Sequence, residues 1–152
     1  MKLSYRRAVK DDADLLIDLY NQSFYTDYIK YGECPAYGKT TAQMRQSIEL
    51  YPKDIILCDG IAIGVISVMH KGSGSYFLGC LCVIPAYQNK GIGSRAVAYF
   101  LQHHRDWKEL SLVTPADKDA NIYFYTQKCG FEIVGTEMDG NVRVVRLAMR
   151  RL

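Results

Sequence analysis

The stretch Leu81-Cys82-Val83-Ile84-Pro85-Ala86-Tyr87-Gln88-Asn89-Lys90-Gly91-Ile92-Gly93-Ser94 has the residue types and the spacing to hold an anion. An apolar run is cut off by Pro85, which has no backbone donor and ends strand pairing. A polar loop follows, and two glycines open what reads as a helix. The first N–H groups of a helix have no partner within it, and the helix start carries partial positive charge. Gly91 and Gly93 let the backbone approach a ligand with no side chain between. A phosphate or pyrophosphate fits that description best, and Lys90 and Arg95 can add charge.

Other patterns compete for the same residues. The P-loop pattern GxxxxGK[ST] is absent. The dinucleotide fingerprint GxGxx[GA] is formally matched by Gly91-Ile92-Gly93-Ser94-Arg95-Ala96, with Glu109 near the expected acidic position. That fingerprint follows its strand at once, whereas Pro85 to Lys90 intervene here. Glu109 also opens its strand, whereas the ribose-binding acid closes one. A strand–helix connection with no ligand would leave Pro85 and both glycines coincidental.

Periodicity sketches the elements that position this stretch. Residues 3–9 read as a first strand. Lys10-Asp11-Asp12 opens a helix in which Leu15, Leu16, Leu19 and Phe24 recur at helical spacing. From Tyr25 to Lys39 the pattern breaks. Gly32, Pro35 and Gly38 argue for an irregular loop in which Tyr25, Tyr28, Tyr31 and Tyr37 surround Glu33 and Cys34. Residues 41–50 read as a second helix. Residues 54–58 and 61–69 are the arms of a hairpin about Asp59-Gly60, and Lys71 to Gly74 turns the chain into a strand over 76–84. Cys80 and Cys82 share one side of that strand and read as ordinary buried thiols.

A helix over 91–104 carries Ile92, Ala96, Val97, Phe100 and Leu101 on one face, with His103, His104 and Arg105 at its negative end. A strand over 109–114, a helix over 120–128 capped by Gly130, and strands over 131–134 and 142–149 complete the chain. The order is β-α-α-β-β-β-α-β-α-β-β. This is a mixed α/β sheet with no internal repeat and no dividing linker, a single domain over 1–152.

Bulk properties narrow the function classes. The chain has 152 residues, 49% hydrophobic and 23% charged, with a formal net charge of +3. That is the composition of a globular domain with a core. The mild positive charge suits a polyanionic ligand. The basic residues are scattered, without the stripe that nucleic-acid binding needs. No apolar run approaches the roughly 18 residues of a membrane span, and no apolar stretch follows Met1-Lys2-Leu3-Ser4-Tyr5-Arg6-Arg7 as in a secretory leader. Five cysteines, an odd number without a CxxC pair, read as the reduced thiols of a cytoplasmic protein. No His/Cys/Asp cluster has metal-ligand spacing, so no metal is expected.

The central stretch resembles the coenzyme A signature of the GCN5-related N-acetyltransferases, V-x-P-x-x-[QR]-x-x-G-x-[GA]. Val83, Pro85, Gln88, Gly91 and Gly93 match it in register. The resemblance extends along the whole chain, through two helices near the start and a Gly-Phe pair, Gly130-Phe131, after the fourth helix. It implies a mostly antiparallel sheet of about seven strands flanked by four helices. It implies transfer of an acetyl group from acetyl-CoA to an amine by direct attack in a ternary complex. A non-catalytic acyl-CoA-binding or regulatory module on the same fold is the alternative.

The resemblance also assigns residues. Leu81, Cys82 and Val83 would lie along the pantetheine arm, with the Val83 N–H at the thioester carbonyl. The amides of Asn89, Lys90, Gly91, Ile92, Gly93 and Ser94 would hold the pyrophosphate beside Gln88, and Asn121 would touch the coenzyme. The family usually supplies the acid for the leaving thiolate as a tyrosine four residues before the glycine of the Gly-Phe pair. Here Thr126 stands at that spacing and Tyr125 one residue earlier, so Tyr125 serves only if the helix end carries an extra residue. Tyr123 and a core role for Tyr125 are the alternatives. The strand before the loop has no carboxylate to act as base, which leaves Glu33 as a candidate and His70 as a proton relay or a surface residue. Tyrosines beside one acid suit a cationic amine; a loop packed on its own tyrosines fits equally. A small-molecule amine and a peptide amine are both open as acceptors, and so is a homodimer.

Overall fold

A computed structural model describes residues Met1–Leu152. The chain runs β1 (Leu3–Arg7), α1 (Ala13–Tyr31), α2 (Thr41–Leu50), β2 (Lys53–Cys58), β3 (Ile61–Gly72), β4 (Ser75–Val83), α3 (Ile92–His103), β5 (Glu109–Pro115), α4 (Asp119–Tyr123), β6 (Glu132–Asp139) and β7 (Val142–Arg150). The seven strands are ordered β1-β2-β3-β4-β5-β7-β6. The β1–β2, β2–β3, β5–β7 and β6–β7 ladders are antiparallel, and β4–β5 is parallel. The expected element order and the mostly antiparallel sheet with four helices are both observed.

Three elements differ from the sequence expectation. Helix α1 continues through Tyr25 and Tyr28 to Tyr31. No glycine or proline interrupts residues 25–31. The stop is Gly32, left-handed at φ 73, whose N–H donates to the Tyr28 carbonyl. Strand β6 runs on to Asp139 because it pairs with β7 as far as Asp139↔Val142. The fourth helix is α-helical only over Asp119–Tyr123; Phe124–Cys129 is a π turn.

The chain forms two compact units, one of residues 1–68 with 79–96 and one of 69–78 with 97–152. In the first, Leu16, Leu19, Met44, Ile55, Val65 and Cys82 belong to one buried cluster. Polar contacts fix the segment between α1 and α2. The Gly38 N–H donates to Asn21 Oδ1 at 2.9 Å, and Thr41 Oγ1 donates to Asp14 Oδ1 at 2.8 Å. Thr40 and Gln43 cap α2 reciprocally, at 3.1 and 2.9 Å. In the second unit Leu110, Leu112 and Thr114 alternate inward on β5, and the Tyr76 hydroxyl donates to Asp106 Oδ1 at 2.8 Å.

One contact in the first unit sets how closely β3 and β4 approach. A Cβ on Gly64 would lie 2.2 Å from the Cys82 carbonyl oxygen. That oxygen belongs to backbone and cannot swing aside. Gly64→Ala is expected to cost roughly 2–3 kcal/mol, lowering Tm by about 5–10 °C. Gly79→Ala, whose Cβ would meet nothing closer than 3.8 Å, is expected to leave Tm nearly unchanged in the same thermal melt.

Candidate active site

The site begins where β4 loses one of its neighbours. The ladder to β5 covers Ser75↔Glu109, Tyr76↔Leu110 and Phe77↔Ser111 and goes no further. Alternate residues of a strand direct their N–H and C=O groups to opposite edges. The Ile84 N–H donates to the Ile63 carbonyl at 2.9 Å, and the Cys82 carbonyl faces Gly64. Residues 82 and 84 therefore bond towards β3, and Leu81 and Val83 present their groups to the other edge. The Val83 carbonyl there accepts from Gln88 Nε2 at 2.9 Å, which leaves the Val83 N–H as donor. Cys82 turns its backbone to β3 and is 5% exposed.

The loop that follows has the backbone geometry an anion cradle needs. Pro85–Tyr87 is a single 3-10 turn, with the Tyr87 and Gln88 N–H groups bonded to Ile84 and Pro85 carbonyls. Asn89 and Gly91 take positive φ, 62 and 77. The Arg95 N–H donates to the Gly91 carbonyl at 3.2 Å, so Gly91 ends the loop and α3 starts at Ile92. The N–H groups of Ile92, Gly93 and Ser94 are then first-turn donors without intrahelical partners. Ser94 Oγ bonds back to the Gly91 carbonyl at 3.1 Å, fixing that turn. Lys90 and Arg95 are exposed beside it. These features fit a pyrophosphate.

The π turn answers the spacing question at Tyr125. An i→i+5 turn holds one residue more than an α turn. The N–H groups of Gly130 and Phe131 both donate to the Tyr125 carbonyl, with Gly130 left-handed at φ 88. Tyr125 is 8% exposed, edge-on to Phe124 and Phe131 at 4.9 and 5.6 Å. Thr126 is engaged elsewhere, its hydroxyl donating to the Ile122 carbonyl at 2.7 Å. Tyr123 is 58% exposed under Lys128. Asn121 Nδ2 donates to Thr114 Oγ1 at 3.2 Å.

The remaining candidates separate. Glu33 is exposed, just past the Gly32 cap. His70 is exposed and stacks on Tyr76 at 4.6 Å. His103 and His104 place Nδ1 2.8 and 2.9 Å from the Tyr99 and Phe100 carbonyls, which accounts for both by the helix end. Burial pushes the Cys129 thiol up to about 11. No group of three or more His, Cys, Asp or Glu side chains could hold a metal ion.

Periodicity did not reveal a cavity of about 470 Å³ in the first unit, lined in part by Tyr37, Lys39, Gln43, Gln46, Ser47 and Tyr51. Glu33 is not in its lining. The tyrosines expected to frame an acid largely stack on each other, Tyr37 on Tyr28 at 4.5 Å and 16°. Sequence reading also passed over Lys53, 5% exposed at the start of β2. Its signal was a lysine in phase with Ile55 on an apolar strand.

The sequence matches the family described as Acetyltransferase (GNAT) family over residues 15–131. No curated protein matches it significantly. It is similar in structure to an acetyltransferase from Thermus thermophilus, with a TM-score of 0.82 and 16% identity over 99% of this chain and 98% of that one. It is similar to the PaiA N-acetyltransferase from Thermoplasma acidophilum, solved in complex with coenzyme A (TM-score 0.74, 18% identity, 96% and 98% covered). It is also similar to the Salmonella typhimurium acetyl transferase that modifies the N-terminal serine of 50S ribosomal subunit protein L7/L12 (TM-score 0.80, 14% identity, 99% and 96% covered). At these identities the likeness is one of fold.

Gly91 takes φ 77, and a Cβ there would meet nothing within 4 Å. A side chain at this position is therefore strained by its backbone and not by a clash, at a cost of about 1–3 kcal/mol. Gly91→Val is expected to raise the Kd for coenzyme A roughly tenfold by calorimetry. Unchanged affinity would remove the cradle at residues 89–94.

Proposed function

Because the chain belongs to the acetyltransferase (GNAT) family, whose members use acetyl-CoA to acetylate amine acceptors, we propose that it works by direct attack of the amine on the thioester with both substrates bound together. The observation that carries this reading is the continuity of β4 with the cradle. An edge on which Leu81 and the Val83 N–H face away from β3 leads through one short turn into three unpartnered helix N–H groups. An extended arm ending in a pyrophosphate has that shape.

Acetyl-CoA, when bound, supplies an activated carbonyl whose oxygen gains negative charge as the amine adds. The Val83 N–H is the donor we assign to that oxygen, and Gln88 keeps it aimed by holding the neighbouring carbonyl. Leu81 pairs with the arm. The amides of Asn89 to Ser94 take the pyrophosphate, and Asn121 stands beside Thr114 as a further coenzyme contact. As the N–C bond forms and the C–S bond breaks, Tyr125 donates its phenolic proton to the departing sulfur. The π turn supports Tyr125 over Thr126, whose hydroxyl is already spent on a helix carbonyl. For the amine's proton we assign water in preference to Glu33, which is exposed and outside the cavity lining.

No helix is long and apolar enough to cross a membrane. All five cysteines are free thiols, which supports a reducing, cytoplasmic setting.

Thiol release from acetyl-CoA over a panel of amines tests the activity, and intersecting initial-rate lines are expected for a ternary complex. Coenzyme binding without turnover on any amine would favour the non-catalytic module. Tyr125→Phe is expected to lower kcat about 100-fold with little change in KM for acetyl-CoA. An unaltered kcat would make Tyr125 a core residue only.

A further inference from the structure

The cavity beside α2 has the wrong charge for a cationic guest. Its lining contains Lys39 and no Asp or Glu. Gln43, Gln46 and Ser47 line it from one face of α2, at the i, i+3, i+4 spacing that brings side chains together. Gln43 uses its Oε1 on the Thr40 N–H, so its amide N–H groups are what it can offer a ligand. The walls are fixed by the Gly38–Asn21 bond and by the Tyr37–Tyr28 stack.

A second cation lies behind this wall. Lys53 is buried, with Nζ 3.4 Å from Ser67 Oγ and 6.0 and 5.9 Å from the ring centres of Tyr20 and Tyr51. No carboxylate pairs with it. Burial lowers its ammonium pKa, and the charge of Lys39 pushes the same way. Two cations within electrostatic reach, with no acid in the cavity lining, favour an anion beside Lys39. The contacts also lead to the acyl site. Tyr51 lines the cavity, Lys53 covers Tyr51, and Lys53 is close enough to feel the thiols of Cys80 and Cys82, which flank Leu81 on β4.

We propose that this cavity takes the carboxylate of the acceptor, so that the substrate is a small amine that also carries a carboxylate, in the manner of an amino acid. Lys39 is the charge partner, Gln43 and Gln46 donate from α2, and Tyr37 and Tyr51 form the walls. A volume of about 470 Å³ suits a small molecule. The amine half of this assignment rests on the acetyl-transfer reading; the carboxylate half does not.

The test uses the full chain saturated with coenzyme A. Each common α-amino acid is titrated by calorimetry against its own carboxamide. For at least one pair the free carboxylate is expected to bind about tenfold more tightly, as one charge-assisted contact gives. Lys39→Ala and Lys39→Gln are expected to abolish that preference, and Lys39→Arg to keep it. Coenzyme affinity in the same samples reports that the variants are folded. No preference in any pair, or a preference that survives both neutral variants, overturns the proposal. The same pairs are then offered with acetyl-CoA. Carboxylate-selective binding without acetylation of any amine sinks the transferase reading and leaves the cavity assignment standing. Acetylation that ignores the carboxylate does the reverse.

Discussion

Beyond Phe77 the backbone of β4 is paired along one edge only. A strand with unpaired N–H and C=O groups ordinarily invites another strand. Here the groups at issue are those of Leu81 and Val83, and the Val83 carbonyl is closed off by Gln88 from within the chain. An extended ligand with alternating amide groups can use the rest. Gly64 keeps the opposite edge of β4 against β3, since any side chain there would strike the Cys82 carbonyl. Together with the Ile84–Ile63 bond, that close approach sets the register of Cys82 and Ile84, and so the direction of the Val83 N–H.

The cradle and the π turn are two further uses of backbone geometry. Positive φ at Asn89 and Gly91 turns the chain sharply enough to set the first N–H groups of α3 in a row. The π turn at Phe124–Cys129 lodges one extra residue without moving Gly130 from its capping role. The tyrosine it carries is packed between two phenylalanines, which limits its rotamers. Such bulges are frequent at functional sites because they re-aim one side chain while the helix on either side persists.

Charge has a different distribution around the cavity beside α2. Tyr28 and Tyr37 stack and Tyr25 tilts against Tyr37, and Glu33 is exposed. What lines the cavity is amide, hydroxyl and one lysine, backed by a second lysine under two aromatic rings. A buried ammonium without a carboxylate is costly. It is offset in part by those rings and by the thiols of Cys80 and Cys82, which raise its pKa against the effect of burial.

The backbone geometry of the proposed anion cradle was legible because it is local. Pro85, Gln88, Gly91 and Gly93 lie within one turn of chain, and their backbone consequences follow from residue type alone. The element order was legible for the same reason, since hydrophobic period and turn residues act over a few positions. From sequence α1 ends early, because four tyrosines and a nearby glycine resemble a loop, although the stop is Gly32. Glu33 is a candidate in sequence because the strand before the loop has no carboxylate and Glu33 lies among tyrosines. Glu33 is exposed and outside the cavity lining, while Gly38 beyond it is held to Asn21, 17 residues back. The tertiary structure alone decided which edge Val83 faces, since that depends on Ile63 and Gly64 in another strand. It alone placed Lys39 and Lys53 in each other's field. Sequence determines what a stretch of backbone can offer; charge and direction at a site are set by neighbours that only folding supplies.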